Sequence, residues 1–268
     1  MNKKVVIITG ASSGIGLACA REFSGNGYKV VMAARNIDKL NEIVAELKQQ
    51  NPDVISVKTD VSNEDDCKHL IDETIKHFGT IDVLINNAGV SMRALFIELD
   101  LKVLHSVMNV NFWGTVYCTK YALPYIIEHK GSVVAISSVA GFMGLPGRTG
   151  YSASKFAIHG FMETLRIEHL KQKLHVMIAA PGFTSSNIRK AALGANGNIQ
   201  GESPRDESKM MSPERVAKHI YRGVKKRKRH ILLTVQGKLG VFMKRCIPRL
   251  TDYLEYLEMK KEPNSPLI

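Results

Sequence analysis

Tyr151 and Lys155 stand four residues apart in the run YSASK. On a helix this spacing puts both side chains on one face, one turn apart. A tyrosine hydroxyl titrates near ~10 and is a poor acid–base group at neutral pH. A neighbouring ammonium favours the phenolate and pulls that value down. Shedding the proton near neutrality requires a fall of about three units, roughly 4 kcal/mol, of which one ammonium in a closed cleft supplies part. The pair could therefore do acid–base chemistry that a lone tyrosine could not. Tyrosine and lysine also fall four apart as ordinary surface pairs, so the rest of the chain has to decide between the two readings.

A second constellation lies near the start. The run TGASSGIG, Thr9 to Gly16, carries Gly10, Gly14 and Gly16 directly after the apolar stretch Val5–Ile8. Glycines at a strand-to-helix turn let the backbone approach a phosphate closely, and the following helix offers free N–H groups and a positive dipole end. The spacing is G-x3-G-x-G, and the lysine of a P-loop is missing. The turn fits a dinucleotide pyrophosphate, with Ser12, Ser13 and Ile15 filling it between the glycines. At the end of the second apolar run the chain reads Ala33-Ala34-Arg35-Asn36. An acidic residue there would bond the 2′-hydroxyl of NAD. Arg35 instead offers a guanidinium where the 2′-phosphate of NADP would lie, so the expected cofactor is NADP(H).

These residues need a scaffold, and the hydrophobic pattern supplies one. Seven apolar, β-branched runs recur: 4–9, 28–35, 53–60, 81–89, 131–138, 174–182 and 229–234. Being nearly continuous in apolar residues, they read as strands buried on both faces. Helix-length segments alternate with them. Residues 36–50 place Leu40, Ile43, Val44 and Leu47 on one stripe, and residues 62–78 open with Ser62 as N-cap and an acidic first turn. The alternation predicts an α/β fold, a Rossmann-type doubly wound parallel sheet of about seven strands. The polar stretch 183–211 is long for a loop in a compact domain and reads as a lid or binding loop. A helix then starts at Ser212, with Pro213 in its first turn.

The chain has 268 residues, 44% of them hydrophobic, enough for one α/β domain with a large core. Residues 1–235 form the expected catalytic domain, and 236–268 a C-terminal helix and tail. The four cysteines are scattered, without metal-ligand spacing, and read as buried thiols in a reducing compartment, with neither disulfide nor metal expected. The N-terminal apolar run is too short for a secretion signal, and no stretch reaches membrane-spanning length, so the expected location is cytoplasmic. The net charge of +12 is concentrated: residues 215–251 hold twelve Lys or Arg and no acid, leaving 25 basic and 25 acidic residues elsewhere.

Taken in order, TGASSGIG, Asp60-Val61, NNAG at 86–89, Asn111 in NVNFWG, Ser138 in ISSVAG, YSASK and Pro181-Gly182 resemble the short-chain dehydrogenase/reductase family. The resemblance covers residues 4 to about 235. It implies a seven-stranded Rossmann sheet, commonly in a homodimer or homotetramer, acting on a small-molecule carbonyl or alcohol substrate. It implies Tyr151 as general acid, Ser138 as the group that orients the carbonyl oxygen, and Lys155 as the residue that bonds the nicotinamide ribose and lowers the tyrosine pKa. Asn111 would hold a water in a proton relay. Asp60 and the Val61 backbone would meet the adenine, and Asn87, Ala88 and Gly89 would line the cofactor trough beside Pro181 and Gly182. Two positions depart from the family pattern. A threonine that many relatives place after Pro-Gly aligns with Ser186, with Thr184 as a rival. The position before Gly14 is Ser13 rather than a basic residue, so Arg35 alone argues for NADP.

An epimerase or dehydratase on the same fold, or a cofactor-sensing binding protein, would share much of this pattern, but the complete set Asn111, Ser138, Tyr151 and Lys155 favours redox chemistry. The basic run 225–230 lacks interleaved aromatics, and no nucleic acid is expected. Phe142, Met143, Leu145, Pro146, Phe183 and Met92 point to an apolar substrate. Leu239, Phe242, Met243, Cys246, Ile247, Leu250, Tyr253, Leu254 and Leu257 form a helical stripe with Pro248 as a kink. That stripe would pack on its own domain or a partner subunit, or lie on an anionic membrane with the basic run beside it.

Overall fold

Seven parallel strands form the centre of the protein, in the order β3-β2-β1-β4-β5-β6-β7. They are β1 (Val5–Thr9), β2 (Lys29–Ala34), β3 (Val54–Lys58), β4 (Val83–Asn86), β5 (Ser132–Ile136), β6 (His175–Ala180) and β7 (His230–Leu232). The computed structural model describes residues 3–185, 187–203 and 210–267. Each expected strand is present, trimmed at its ends.

The continuous apolar runs are explained by cover on both faces. Val6 and Ile8 of β1 enter one core, with Phe23 of α1 (Gly14–Gly25), Leu40 of α2 (Ile37–Lys48) and Ile220 of α7 (Pro213–Lys225). Val5 and Ile7 enter the other, with Leu70 of α3 (Glu64–Phe78), Ile126 of α5 (Gly114–Glu128) and Ile158 of α6 (Thr149–Glu168). The two-residue side-chain period of a strand divides one apolar run between the two layers. A third cluster, around Met92, Val103 and Val107, joins α4 (Leu101–Met108) to Tyr151.

Helix α3 begins one residue later than the sequence suggested. Its N-cap is Asn63, whose side chain accepts from the backbone N–H groups of Asp65 and Asp66, while Ser62 donates its hydroxyl to Asp60. The α7 start is as expected: Ser212 accepts from Arg215 N, with Pro213 in the first turn. Between α4 and α5 the chain widens into a π-type turn, Asn109–Trp113, that places Asn111 in the interior. Such single wide turns recur at functional sites.

The C-terminal stripe is broken in two. Helix α8 (Val235–Cys246) and helix α9 (Pro248–Lys261) meet at Ile247, and Pro248 opens the second helix rather than bending one. Proline lacks the N–H an interior position must donate but fits a first turn. The end of α9 and the tail pack on the domain: Met259 is buried, and Arg93 pairs with Glu262 at 3.2 Å and donates to Pro263 O. Leu239, Phe242, Leu250 and Tyr253 remain exposed. So does Cys246, contrary to the expectation of four buried thiols, whereas Cys19, Cys67 and Cys118 are buried.

At the amino-terminal end of the strands, opposite the glycine-rich turn, His175 lies 2.9 Å from Ser132 Oγ and 2.9 Å from Lys228 O, tying β5 and β6 to the turn before β7. Burial, with Arg227 nearby, holds its imidazole below the ordinary value, partly offset by the Lys228 carbonyl. The unfolded chain therefore takes up a proton near pH ~6.5 that the folded chain refuses, and stability falls as pH drops through that window. Urea midpoints measured from about pH 7 to about pH 5 should fall more steeply for the wild type than for His175→Gln. Equal slopes would show that His175 does not contribute.

Candidate active site

The sheet order reverses between β1 and β4: after β1 the chain goes to β2 and β3 on one side, then returns to β4 on the other. Connections leaving two such neighbours diverge, and a crevice opens at the carboxyl ends of the strands. Here it is a cavity of about 510 Å³.

Thr9 and Asn87 hold its floor. The Thr9 hydroxyl accepts the N–H groups of Asn87 and Ala88, each at 3.0 Å, and the Asn87 amide donates to Thr9 O at 2.8 Å and Gly10 O at 3.2 Å. Gly10 has φ +64°, and a Cβ there would lie 2.9 Å from Ala88 Cα. A Cβ on Gly16 would lie 2.4 Å from Gly10 O. The turn is thus drawn tight against β4, with the first turn of α1 directed over it. Ser13, the α1 N-cap, makes no capping bond with its side chain. Gly10, Ser12, Ser13, Gly14 and Ile15 all line the cavity, whereas Gly16 lies behind them. Arg35, Asp60 and Val61, which follow β2 and β3, line one end, and Asn87, Ala88, Gly89, Pro181 and Gly182 line the cavity further along the sheet. One Asp60 oxygen accepts from Ser62 N and Oγ. A cradle of backbone in which side chains would clash, leading to a guanidinium, fits a dinucleotide phosphate.

At the other end stand Ser138, Tyr151 and Lys155. Ser138, just past β5, starts a tight turn by accepting Ala140 N at 3.2 Å, and its side chain bonds the Tyr151 hydroxyl in the sense that favours the phenolate. One turn along α6, Lys155 is buried and donates to Ile136 O at 2.9 Å. Asn111 is fully buried; its amide accepts from Val90 N at 2.8 Å and donates to Val90 O and Ser154 Oγ. A Cβ on Gly89 would lie 3.2 Å from Asn111 Oδ1 and 3.7 Å from Lys155 Nζ, so these two groups converge at that glycine.

The electrostatics differ from the sequence expectation in one respect. Tyr151 is not acidified in this state: burial raises its pKa above the ordinary value. Ser138, Arg148 and Arg189 work in the opposite direction. Lys155 itself is depressed by burial, to about 8. Its ammonium lies 5.6 Å from the Tyr151 ring centre and is committed to a carbonyl on β5.

Of the other expected residues, Met143, Leu145 and Phe183 line the cavity. Phe142 packs edge-on against His159, and Met92 is buried in the third core cluster. Thr184 lines the cavity, while Ser186 lies outside the described residues. The long loop supplies Asn187, Ile188, Arg189 and Ala191 to the wall, as a binding loop should. Sequence reasoning missed the bracing by the Thr9 hydroxyl, Arg148, and the roof made by Gln236, Gly237, Gly240 and Glu255 of α8 and α9. Arg148 donates to Ser91 Oγ at 2.6 Å and Met92 O at 3.0 Å, strapping the chain after β4 to the start of α6. None of these has a local pattern that would announce it.

Residues 4–196 match the family model of the short chain dehydrogenases. The chain belongs to that family. A short-chain dehydrogenase is an oxidoreductase that uses a nicotinamide dinucleotide, NAD or NADP, on a small-molecule substrate, and the seven-stranded Rossmann sheet is its scaffold. Among curated relatives of this dehydrogenase, 11-beta-hydroxysteroid dehydrogenase-like 2 of Arabidopsis thaliana is 41% identical over 254 residues, covering 94% of this chain and 80% of that protein. Dehydrogenase/reductase SDR family member 7B of Rattus norvegicus is 34% identical, covering 99% of this chain and 84% of the relative. Among solved structures, a short chain dehydrogenase/reductase of Burkholderia phymatum in complex with NAD superimposes with a TM-score of 0.83 at 25% identity, covering 93% of this chain and 95% of that one. The alcohol dehydrogenase of Thermococcus sibiricus complexed with 5-hydroxy-NADP gives 0.77 at 25% identity, over 86% and 96%.

The burial of Lys155 carries a cost in stability. The folded chain holds this ammonium with a pKa of about 8, so keeping it charged at neutral pH costs the dehydrogenase folding energy that the unfolded chain does not spend. Lys155→Met should raise the cofactor-free stability, by about 1–2 kcal/mol after loss of the bond to Ile136 O, while it impairs turnover and cofactor binding. Urea unfolding and NADPH titration check both; a Met variant less stable than the wild type would contradict the cost.

Proposed function

We propose that the protein is an NADP(H)-dependent oxidoreductase that transfers a hydride between the nicotinamide and a carbonyl or secondary alcohol of an apolar substrate. The observation that carries this reading is the convergence of Ser138, Tyr151 and Lys155 at one end of a cavity whose other end holds the glycine-rich turn and Arg35. When bound, the nicotinamide supplies or accepts the hydride. Ser138 bonds the substrate oxygen and orients it, and Tyr151 gives its proton to that oxygen as charge builds there. Lys155 places its positive charge at the junction of the two sites and, with Arg148 and Arg189, stabilises the phenolate that remains. Asn111 fixes Val90 beside Lys155 and shapes the proton's path from solvent.

Arg35 supports the phosphorylated cofactor: it lines the cavity just past β2, and no carboxylate occupies that strand end. Val90, Val139, Met143, Leu145, Phe183 and Ile188 form an apolar wall near Tyr151, which suits a rigid hydrocarbon-rich ketone. The names of the plant relatives support a steroid-sized molecule.

The same function gives the exposed C-terminal face a role. Leu239, Phe242, Ile247 and Leu250 are exposed in the segment that carries the excess charge, with Lys244, Arg245 and Arg249 among them, and Leu254 is exposed just beyond it. Gln236, Gly240 and Glu255 of the same helices border the cavity. We assign this face to peripheral contact with an anionic membrane, from which an apolar substrate would reach the site. Among the described residues no helix is long and apolar enough to cross a membrane.

Three results test the chemistry. A panel of oxosteroids and simpler ketones with NADPH should reveal turnover, and Tyr151→Phe should abolish most of it while leaving NADPH binding intact. Arg35→Ala should lower kcat/KM for NADPH about ten- to a hundredfold, and much less for NADH. Wild-type protein that uses both cofactors equally would overturn the NADP assignment.

Flotation tests the membrane contact separately. The full chain should float with phosphatidylserine-containing vesicles at low salt, less so at high salt, and Phe242→Glu with Leu250→Glu should remove binding without loss of turnover. Failure of the wild type to float would rule the contact out.

A further inference from the structure

Three successive turns of α6 reach the three residues that leave β5. Lys155 Nζ bonds Ile136 O at 2.9 Å, His159 Nε2 lies 2.8 Å from Ser137 Oγ, and Tyr151 is bonded by Ser138. Residues 151, 155 and 159 share one helix face, each one turn from the next. The first and last of these contacts belong to the site already described; the His159 contact is left over.

His159 is 9% exposed, at a position where an aliphatic side chain would pack without needing a partner. Its surroundings are shaped to its ring. Phe142 meets it edge-on, 4.5 Å between centres. A Cβ on Gly141 would lie 2.6 Å from His159 Nε2 and equally close to Ser137 Oγ, so the turn Val139–Gly141 closes onto the imidazole and only glycine fits there. His159 therefore touches the residue before Ser138 and two residues shortly after it. Burial, with His230 and Lys155 on its charged side, pushes its pKa down to about 4, which leaves the ring neutral at working pH, with one N–H and one lone pair.

We propose that His159 is a positioning residue that holds Ser137 and the turn after it, and thereby fixes the Ser138 hydroxyl against Tyr151. The inference rests on the assignment of Ser138 and Tyr151 as the groups that meet the substrate oxygen. A hydroxyl fixed before the substrate arrives needs no reorganisation as charge develops, whereas one free to rotate would turn toward water or its own backbone.

The test is a double-mutant cycle with a structural readout. Turnover of phenanthrenequinone, an apolar dicarbonyl probe, is followed by NADPH absorbance in the wild type, His159→Leu, Ser138→Ala and the double variant. His159→Leu should lower kcat about tenfold or more with little change in KM, and should cost almost nothing further in the Ser138→Ala background. His159→Gln, which can still reach Ser137, should recover most of the activity, and His159→Asn, which is too short, should not. Crystal structures of the Leu, Asn and Gln variants should show the Ser138 hydroxyl displaced from Tyr151 in the first two and retained in the third; the Asn variant stands in if Leu does not fold. Two findings would each overturn the proposal: Ser138 unmoved in both the Leu and Asn variants, or an equal kcat loss from His159→Leu with and without Ser138. An active Ser138→Ala enzyme would instead remove the underlying role of Ser138, while a crippled Ser138→Ala enzyme beside an unaffected His159→Leu enzyme would remove only the role of His159.

Discussion

The hydroxyl of Thr9 fixes the relation between the two central strands, and the cavity depends on that relation. Parallel pairing brings β1 and β4 side by side but leaves their carboxyl ends free to splay. Thr9 closes that freedom by accepting the next two N–H groups beyond β4, and Asn87 returns two bonds to Thr9 and Gly10. These half-buried and buried polar groups satisfy one another, so the lock costs little desolvation. Once it is made, the backbone after β1 must pass within contact of Asn87 and Ala88, and the absence of side chains at Gly10 and Gly16 follows from that closeness. The cradle in the glycine-rich turn is a by-product of how tightly two strands are tied.

The reacting end is governed by burial. Tyr151 and Lys155 are both shielded from water, which raises the tyrosine pKa and lowers that of the lysine to about 8, so burial drives the two apart and makes the ammonium the stronger acid of the pair. Seen from the sequence, the lysine should act on the tyrosine. Seen from the structure, much of the help for the phenolate comes from Ser138 and from two arginines on separate loops.

The fold was legible because its signal is local and redundant. Strands covered on both faces must be apolar along their whole length, and each of the seven runs declares itself. Boundaries were less clear where neighbouring residues could serve equally: Ser62 and Asn63 are both good caps, and the chain uses the second because Ser62 already bonds Asp60. The wide turn at Asn111 was invisible, since one extra residue in an otherwise apolar helix barely disturbs its period. The break at Ile247 was half visible, because proline announces a disturbance but not whether it bends a helix or begins one. Of the site, the glycine turn and the YSASK face were readable from spacing. Arg148, Arg189 and the α8–α9 roof were not, because they become neighbours of Tyr151 only through tertiary packing.

The sheet order also governs how the chain can assemble. Strand β1 lies between β2 and β4, and its first N–H is held by the Asp82 carboxylate, 77 residues away. A ribosome therefore exports the glycine-rich turn long before the strand that braces it, and for that interval β1 has an unpaired edge. Closing so long a loop is slow compared with forming any of the helices. Strand β1 is thus made well before it becomes secure, and the nascent chain is most open to mispairing while residues 10 to 82 are still emerging.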